Sequence, residues 1–224
     1  MGILTLQDVN YKYENSNKNV LKGINIEFEE GKLYSLIGKS GAGKSTLLSI
    51  ISGLDLCSEG NILFKEKDLG KVNRDVYRAI DVGVIFQSFN LLTNATAVEN
   101  IVLSMEISKD KRKNKKHIAY ELLEKVGIDK ETANRKILKL SGGEQQRVGI
   151  SRALSHNPDI IIADEPTGNL DADTEKTIMD ILTSLAHEEN KCVIVVTHSN
   201  QVSSYADEIW GLTNGKLMFI KENH

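Results

Sequence analysis

Near the amino terminus apolar positions alternate with polar ones. Ile3, Leu4 and Leu6, then the stretch Val20 to Phe28, read as short strands broken by the polar loop Glu14 to Asn19. Alternation of this kind buries one face of a sheet, so a small β subdomain is expected at this end. Leu33 to Ile37 is a short unbroken apolar run, followed by a glycine-rich stretch and then by Leu47, Leu48, Ile50 and Ile51 at helical spacing. Gly53 stands where that helix would be capped. Between Phe89 and Val148 the pattern becomes helical and polar: Ile118, Leu122, Leu123 and Val126 share one face, and Gly127 ends the segment. This reads as a helical insertion, ending in a helix-patterned run from Glu144 to Leu154. From Asp159 onward a buried strand (Ile160 to Ala163), a helix (Glu175 to Ala186) and a second buried strand (Val193 to Thr197) form the βαβ pattern of a parallel sheet. Two last strands, Glu208 to Leu212 and Lys216 to Ile220, flank Thr213-Asn214-Gly215, where Asn-Gly signals a hairpin. The class is α/β, without internal repeats or low-complexity tracts.

Composition narrows this picture without changing it. A chain of 224 residues buries roughly 70 to 75% of its unfolded surface, enough for a core without disulfides or structural metals. Cys57 and Cys192 lie far apart with no C-x-x-C spacing, which suits a reducing cytoplasm. The stretch MGILTLQDVNYKYE has no basic start followed by an apolar segment and cleavage site, so no signal peptide is expected. Leu6 stands where a myristoylation signal wants Ser or Thr. No apolar stretch approaches the roughly 20 residues of a membrane-crossing helix. With 28 Lys+Arg against 31 Asp+Glu the net charge is −3, which gives no overall case for nucleic acid. One basic run, KDKRKNKK from Lys109 to Lys116, stands against that balance; such a run is a solvated loop or helix end, or a contact with anionic lipid, a partner or nucleic acid.

Candidate chemistry begins with GKSGAGKS, Gly38 to Ser45, which fits G-x-x-x-x-G-K-[ST] between a strand and a helix. Gly38, Gly41 and Gly43 let the backbone turn tightly and aim successive N–H groups at phosphate oxygens, and the helix behind adds its positive end. Ser40, Ala42 and Thr46 complete the phosphate-binding stretch. Lys44 is expected to reach the β- and γ-phosphates, and the Ser45 hydroxyl to ligate magnesium. Asp164 and Glu165 end an apolar strand, at the edge where parallel sheets present ligand groups. Asp164 is the expected second contact to magnesium, and Glu165 the expected group to polarise an attacking water.

Gly38 to Ser45, Gln87, LSGGEQQR from Leu140, IIIADEPTGNLD from Ile160 and His198 together resemble the nucleotide-binding subunit of an ABC (ATP-binding cassette) ATPase along essentially the whole chain. The ADEPTGNLD and TAVEN wording is similar to the branch that includes lipoprotein-releasing, macrolide-export and antimicrobial-peptide-resistance transporters, with a cell-division ATPase nearby. The resemblance implies a P-loop NTPase fold with a mixed sheet, a small antiparallel β subdomain and a helical subdomain. About 1–88 and 155–224 would form the ATP-binding core, and about 89–154 the arm carrying the signature. It implies that an aromatic residue about 25 positions before the loop, Tyr13 in preference to Tyr11, stacks on adenine. Gln87 would touch magnesium and the attacking water, and His198 the γ-phosphate. Ser141, Gly142 and Gly143, ahead of a helix, are a second anion site; in the family it closes on the nucleotide of a second copy, and Asp171 communicates across that interface. Glu144 replaces the commoner Gln of the signature and GNLD the commoner SALD, and neither change removes a phosphate donor. The implied protein is an ATPase using ATP and Mg²⁺, a homodimer on the cytoplasmic face of the membrane, driving a separately encoded permease for lipoprotein, peptide or antibiotic export. A signalling ATPase that regulates an envelope enzyme through a membrane partner is the alternative; a soluble cassette acting on ribosomes or DNA suits this single short cassette less well.

Overall fold

The alternation at the amino terminus builds a sheet of its own, packed against one face of a second, larger sheet. A computed structural model describes residues 2–14 and 18–222, and the loop expected over Glu14 to Asn19 lies partly outside them. In chain order the elements are β1 (Leu4–Tyr11), β2 (Leu21–Phe28), β3 (Leu33–Ile37), α1 (Lys44–Ile51), β4 (Glu59–Phe64), β5 (Lys67–Asp68), α2 (Arg74–Ile80), β6 (Val82–Phe86), α3 (Ala97–Ile107), α4 (Lys115–Lys125), α5 (Lys130–Ala133), α6 (Gly142–Leu154), β7 (Ile160–Asp164), α7 (Ala172–His187), β8 (Cys192–Thr197), α8 (Asn200–Ser203), β9 (Glu208–Thr213) and β10 (Lys216–Glu222). A short 3₁₀ turn, Ile137–Lys139, precedes α6.

Among the described residues the strands form two sheets. One is antiparallel, in the order β2-β1-β4-β5; the other runs β10-β9-β3-β8-β7-β6, parallel from β9 to β6 with β10 antiparallel at its edge. The parallel strands expected from the βαβ pattern are present, within the mixed sheet that the resemblance implied. Period two divides its central strands between two cores. Ile160, Ile162, Ile194 and Val196 meet the layer formed by α1 and the antiparallel sheet. Ile161, Ala163, Val193 and Val195 meet α3, α4, α6 and α7 on the other face. Burial on both faces is why these strands read as continuous apolar runs, and each such side chain contributes about 1.5 to 3 kcal/mol.

Caps set the helix limits. After α1, Gly53 takes a φ of 73°, its N–H reaches Ile50 O at 3.0 Å, and Leu54 N reaches Ser49 O at 2.9 Å, the Schellman pattern that Gly53 suggested. The helix expected from Glu175 starts at Ala172, because the Asp171 carboxylate accepts from Thr174 N at 3.0 Å. The helix expected from Glu144 starts at Gly142, where Ser141 and Glu144 form a reciprocal capping box. Asn214 and Gly215, with φ of 53° and 79°, turn the β9–β10 hairpin.

Five elements were not predicted: β4, β5, α2, β6 and the short α8. β4 buries only Ile62 and Phe64 of its six residues, β5 has two residues, and α2 buries little beyond Tyr77. β6, VGVIF, carries Gly83 in a position where a Cβ would lie 2.6 Å from Ala153 O. The carboxyl end of α6 therefore rests directly on the sheet.

Candidate functional site

Strand register brings the sequence-predicted groups to one edge. In the parallel sheet Ile37 pairs with Thr197, Val196 with Asp164, and Asp164 with Phe86. The next residues in each strand's exit are Gly38, His198, Glu165 and Gln87. Four segments scattered over 160 residues of chain thus leave the sheet side by side at its carboxyl edge, where an α/β sheet exposes ligand-binding loops.

The glycine loop follows β3 and ends as α1 begins. Gly41 and Gly43 have φ of 77° and 108°, and a Cβ on Gly43 would come within 3.1 Å of Leu21 Cδ2, so both conformation and space call for glycine there. Tyr13, Val20, Ser40, Gly41, Gly43, Lys44, Ser45 and Thr46 line a cavity of about 380 Å³, a volume that suits a small-molecule ligand. Lys44 Nζ donates to Gly38 O at 2.6 Å, so its ammonium lies across the loop. Ala42 faces away, into a neighbouring cavity of about 550 Å³ that Lys18 and Lys22 also line.

The two tyrosines separate by burial. Tyr11 is 6% exposed; its hydroxyl donates to Asp55, and that bond pushes its pKa up to about 12. Tyr13 is 53% exposed, stands edge-on to Tyr11 with ring centroids 5.2 Å apart, and its hydroxyl lies 2.9 Å from Thr46 Oγ1. Tyr13 is the ring that faces the cavity.

Glu165 continues β7 with a φ of 47°, left-handed for a non-glycine residue. Its N–H donates to Val196 O at 2.9 Å and its carbonyl accepts from Gly168 N at 3.2 Å, which fixes the turn. Across it, His198 Nδ1 lies 2.9 Å from Glu165 Oε1. A carboxylate only accepts, so in this contact Nδ1 is the donor. The Glu165 side chain is 15% exposed and that of His198 73%. Asp164 is half-buried: burial first, then the Glu165 charge, push its pKa up, and Lys44 opposes them. Gln87 lies over Gly168, where a Cβ would come within 2.8 Å of Gln87 Nε2.

The predicted second anion site does not line this cavity. Ser141 Oγ accepts from Glu144 N at 3.3 Å, and Glu144 Oε2 accepts from Ser141 N at 2.7 Å. Gly142 and Gly143 adjoin Leu170 and Thr174 at the start of α7, beside Asp171. Asp171 spends its carboxylate on Thr174, and those backbone and hydroxyl bonds lower its pKa.

Among the described residues no group of three or more His, Cys, Asp or Glu could hold a metal by itself. The donors at this edge are one half-buried carboxylate (Asp164), a hydroxyl (Ser45) and an amide (Gln87). Magnesium accepts such a set, because it takes hard oxygen ligands and keeps places for phosphate oxygens and water.

A model of the family described as ABC transporter matches residues 21–168. The chain belongs to that family. As an ABC transporter ATP-binding subunit it is 46% identical over 223 residues to the uncharacterized ABC transporter ATP-binding protein YclH of Bacillus subtilis, covering 100% of this chain and 98% of the other. It is 38% identical over 224 residues to the lipoprotein-releasing system ATP-binding protein LolD of Francisella tularensis, covering 97% and 96%. The ATP-binding cassette MJ0796, solved as a dimer in a post-hydrolysis state bound to ADP and Pi, superposes with a TM-score of 0.89 at 35% identity over 99% of each chain. These matches bear out the family and the fold that the motifs implied.

Several residues at the ABC site were not predicted. Val20 lines the cavity from the residue before β2, and Asp55 and Tyr11 back Tyr13. The only sequence signal for them was the aromatic pair itself, because their roles depend on which loops the two sheets bring together.

Proposed function

We propose that the protein binds and hydrolyses MgATP as one half of a homodimer and so drives a separately encoded membrane permease, working as a peripheral subunit on the cytoplasmic face. The observation that carries this reading is the alignment of Gly38, Gln87, Glu165 and His198 at the ends of neighbouring strands. The division of labour follows the chain: about 1–88 and 155–224 hold the nucleotide, and about 89–154 form an arm presenting Ser141 to Gly143.

In this reading the adenine stacks on Tyr13, and the N–H groups of Gly38 to Thr46, with Ser40, Ala42 and the Lys44 ammonium, hold the phosphates. For that contact Lys44 leaves Gly38 O and reaches into the cavity. Ser45, Asp164 and Gln87 would hold magnesium, which when bound neutralises charge on the phosphate oxygens. Glu165 accepts the proton of a water as its oxygen bonds to the γ-phosphorus and the bond to the β-phosphate bridging oxygen breaks, giving ADP and phosphate. The carboxylate keeps one oxygen for His198 and offers the other to water, while His198 donates through Nε2–H to the γ-phosphate. Ser141, Gly142 and Gly143 do not line that cavity; in this reading they serve the nucleotide of the second copy, and Asp171 beside them senses that contact.

A groove of about 400 Å³ beside Gln87, lined among others by Phe86, Asn90, Ser104, Arg152 and His156, offers a permease segment access to the residues after β6. The likeness to LolD favours lipoprotein release as the work done by the partner, and the motif wording keeps peptide or antibiotic export beside it. The test is Glu165→Gln, which keeps the shape of the side chain and removes the base. With excess ATP and magnesium, light scattering is expected to show a dimer that persists and turnover that falls by 10² or more; a variant that stays monomeric would overturn the paired-site reading.

A further inference from the structure

The basic run has a fixed form. α3 ends with Lys109 at a φ of 56°, Lys109 N bonding Glu106 O at 3.1 Å and Asp110 N bonding Met105 O at 3.0 Å. Arg112 Nε donates to Asp110 Oδ2 at 2.6 Å, and its guanidinium also donates to Ser155 O at the end of α6. Lys115 pairs with Glu106 at 2.9 Å. These bonds pin the loop to the helical layer and leave Lys109, Lys111, Lys113 and Lys116 exposed.

Local physics does not favour cations at these places. Lys109 occupies the left-handed position after a helix where glycine fits without strain. Lys115 and Lys116 sit in the first turn of α4, which has no acidic residue there and no side-chain cap, so they face the positive end of that helix. Beside them Ile107 is 69% exposed and Leu103 also stands in solvent. Residues that break local rules while holding an excess of exposed lysines over the paired Glu106 and Asp110, next to an apolar side chain, fit an external anionic partner. Apolar residues beside lysines suit a bilayer interface better than a nucleic acid backbone, which offers only charge at its surface.

We propose that the α3–α4 loop is a contact for anionic phospholipid headgroups, with Lys109, Lys111, Lys113 and Lys116 on the phosphates and Ile107 at the acyl boundary. Ser104 of α3 lines the groove assigned above to the permease, and Arg112 reaches Ser155 beside His156, another residue of that groove. Lipid and permease would thus meet the same side of the molecule. This orientation rests on the proposed permease reading, whereas lipid binding can be measured without it.

The test is sedimentation of the full chain, without ATP or permease, with phosphatidylcholine vesicles that contain or lack about a third phosphatidylglycerol. Binding is expected only to the anionic vesicles, to weaken with salt, and to fall about fivefold for each lysine neutralised, about a hundredfold for Lys111→Gln/Lys113→Gln/Lys116→Gln together. Ile107→Ser is expected to weaken it further. Lys116→Glu supplies the control for folding: it improves the start of α4, so its melting temperature should hold or rise while vesicle binding drops. Equal binding to both vesicles, or the same binding by wild type and triple variant, would overturn the proposal, as would retention on duplex DNA with none on vesicles. Loss of ATPase activity in the wild type would overturn the enzymatic reading and leave this one standing.

Discussion

Asp164 is a carboxylate placed where water is scarce, and this has a pH signature. Burial and the neighbouring Glu165 raise its pKa, and Lys44 offsets them only in part. A carboxyl group whose pKa rises on folding favours the folded state at acid pH, and that contribution is lost as pH climbs through the raised value. At neutral pH the ionised side chain weighs against the fold until a cation arrives. Asp164→Asn is therefore expected to melt at a higher temperature than wild type at pH 7 without nucleotide, the gap closing as pH drops through the carboxylate range. Calorimetry across that range checks it, and parallel melting curves would remove the burial argument. Glu165 shows the same economy in its backbone. A left-handed glutamate costs about 1 to 3 kcal/mol, and Val196 O and Gly168 N hold it so that the side chain meets His198. The motifs named both residues; they did not reveal that one is half-buried and the other strained, because neither property is local in sequence.

At the scale of elements, the start of α6 combines a structural duty with a proposed functional one. Ser141 caps the helix and Glu144 returns the bond, which accounts for the Glu in the signature in purely structural terms. The two duties can be separated. Replacing an N-cap serine by glycine costs only a few tenths of a kcal/mol, whereas alanine costs about 1 kcal/mol. Ser141→Gly should therefore melt within about 1 °C of wild type yet lose most of its ATP turnover if the hydroxyl reaches the partner's nucleotide. Unchanged turnover would leave Ser141 as a cap alone. The helix was legible from its apolar spacing and its true start was not, because a cap is decided by one side chain meeting one N–H. α2 and β4 escaped for a related reason: with so few buried positions they carry almost no periodic signal, and they form because β1 and the large sheet supply their partners.

For the whole molecule, the signature turn does not line the cavity of the phosphate loop, and in the proposed cycle a single copy holds an incomplete reaction centre. Turnover per molecule is expected to fall as the protein is diluted through its pairing constant, as a stopped assay over a wide concentration series would show; a rate independent of dilution would remove the need for a partner. What the sequence determined by itself was the chemistry and the class: residue types at fixed short spacing, such as Gly38 to Ser45 or Asp164 beside Glu165, define a phosphate cradle and a pair of acids wherever they fold, and alternating apolar runs define sheets and helices. Tertiary structure decided what depends on distant chain segments meeting. It buried Tyr11 against Asp55 and left Tyr13, the ring the spacing had already named, exposed, and it set Gln87, Glu165 and His198 in one row through strand register. It also turned a run of lysines into a pinned, exposed surface. Register and burial are properties of pairs of segments, and no single stretch of sequence contains them.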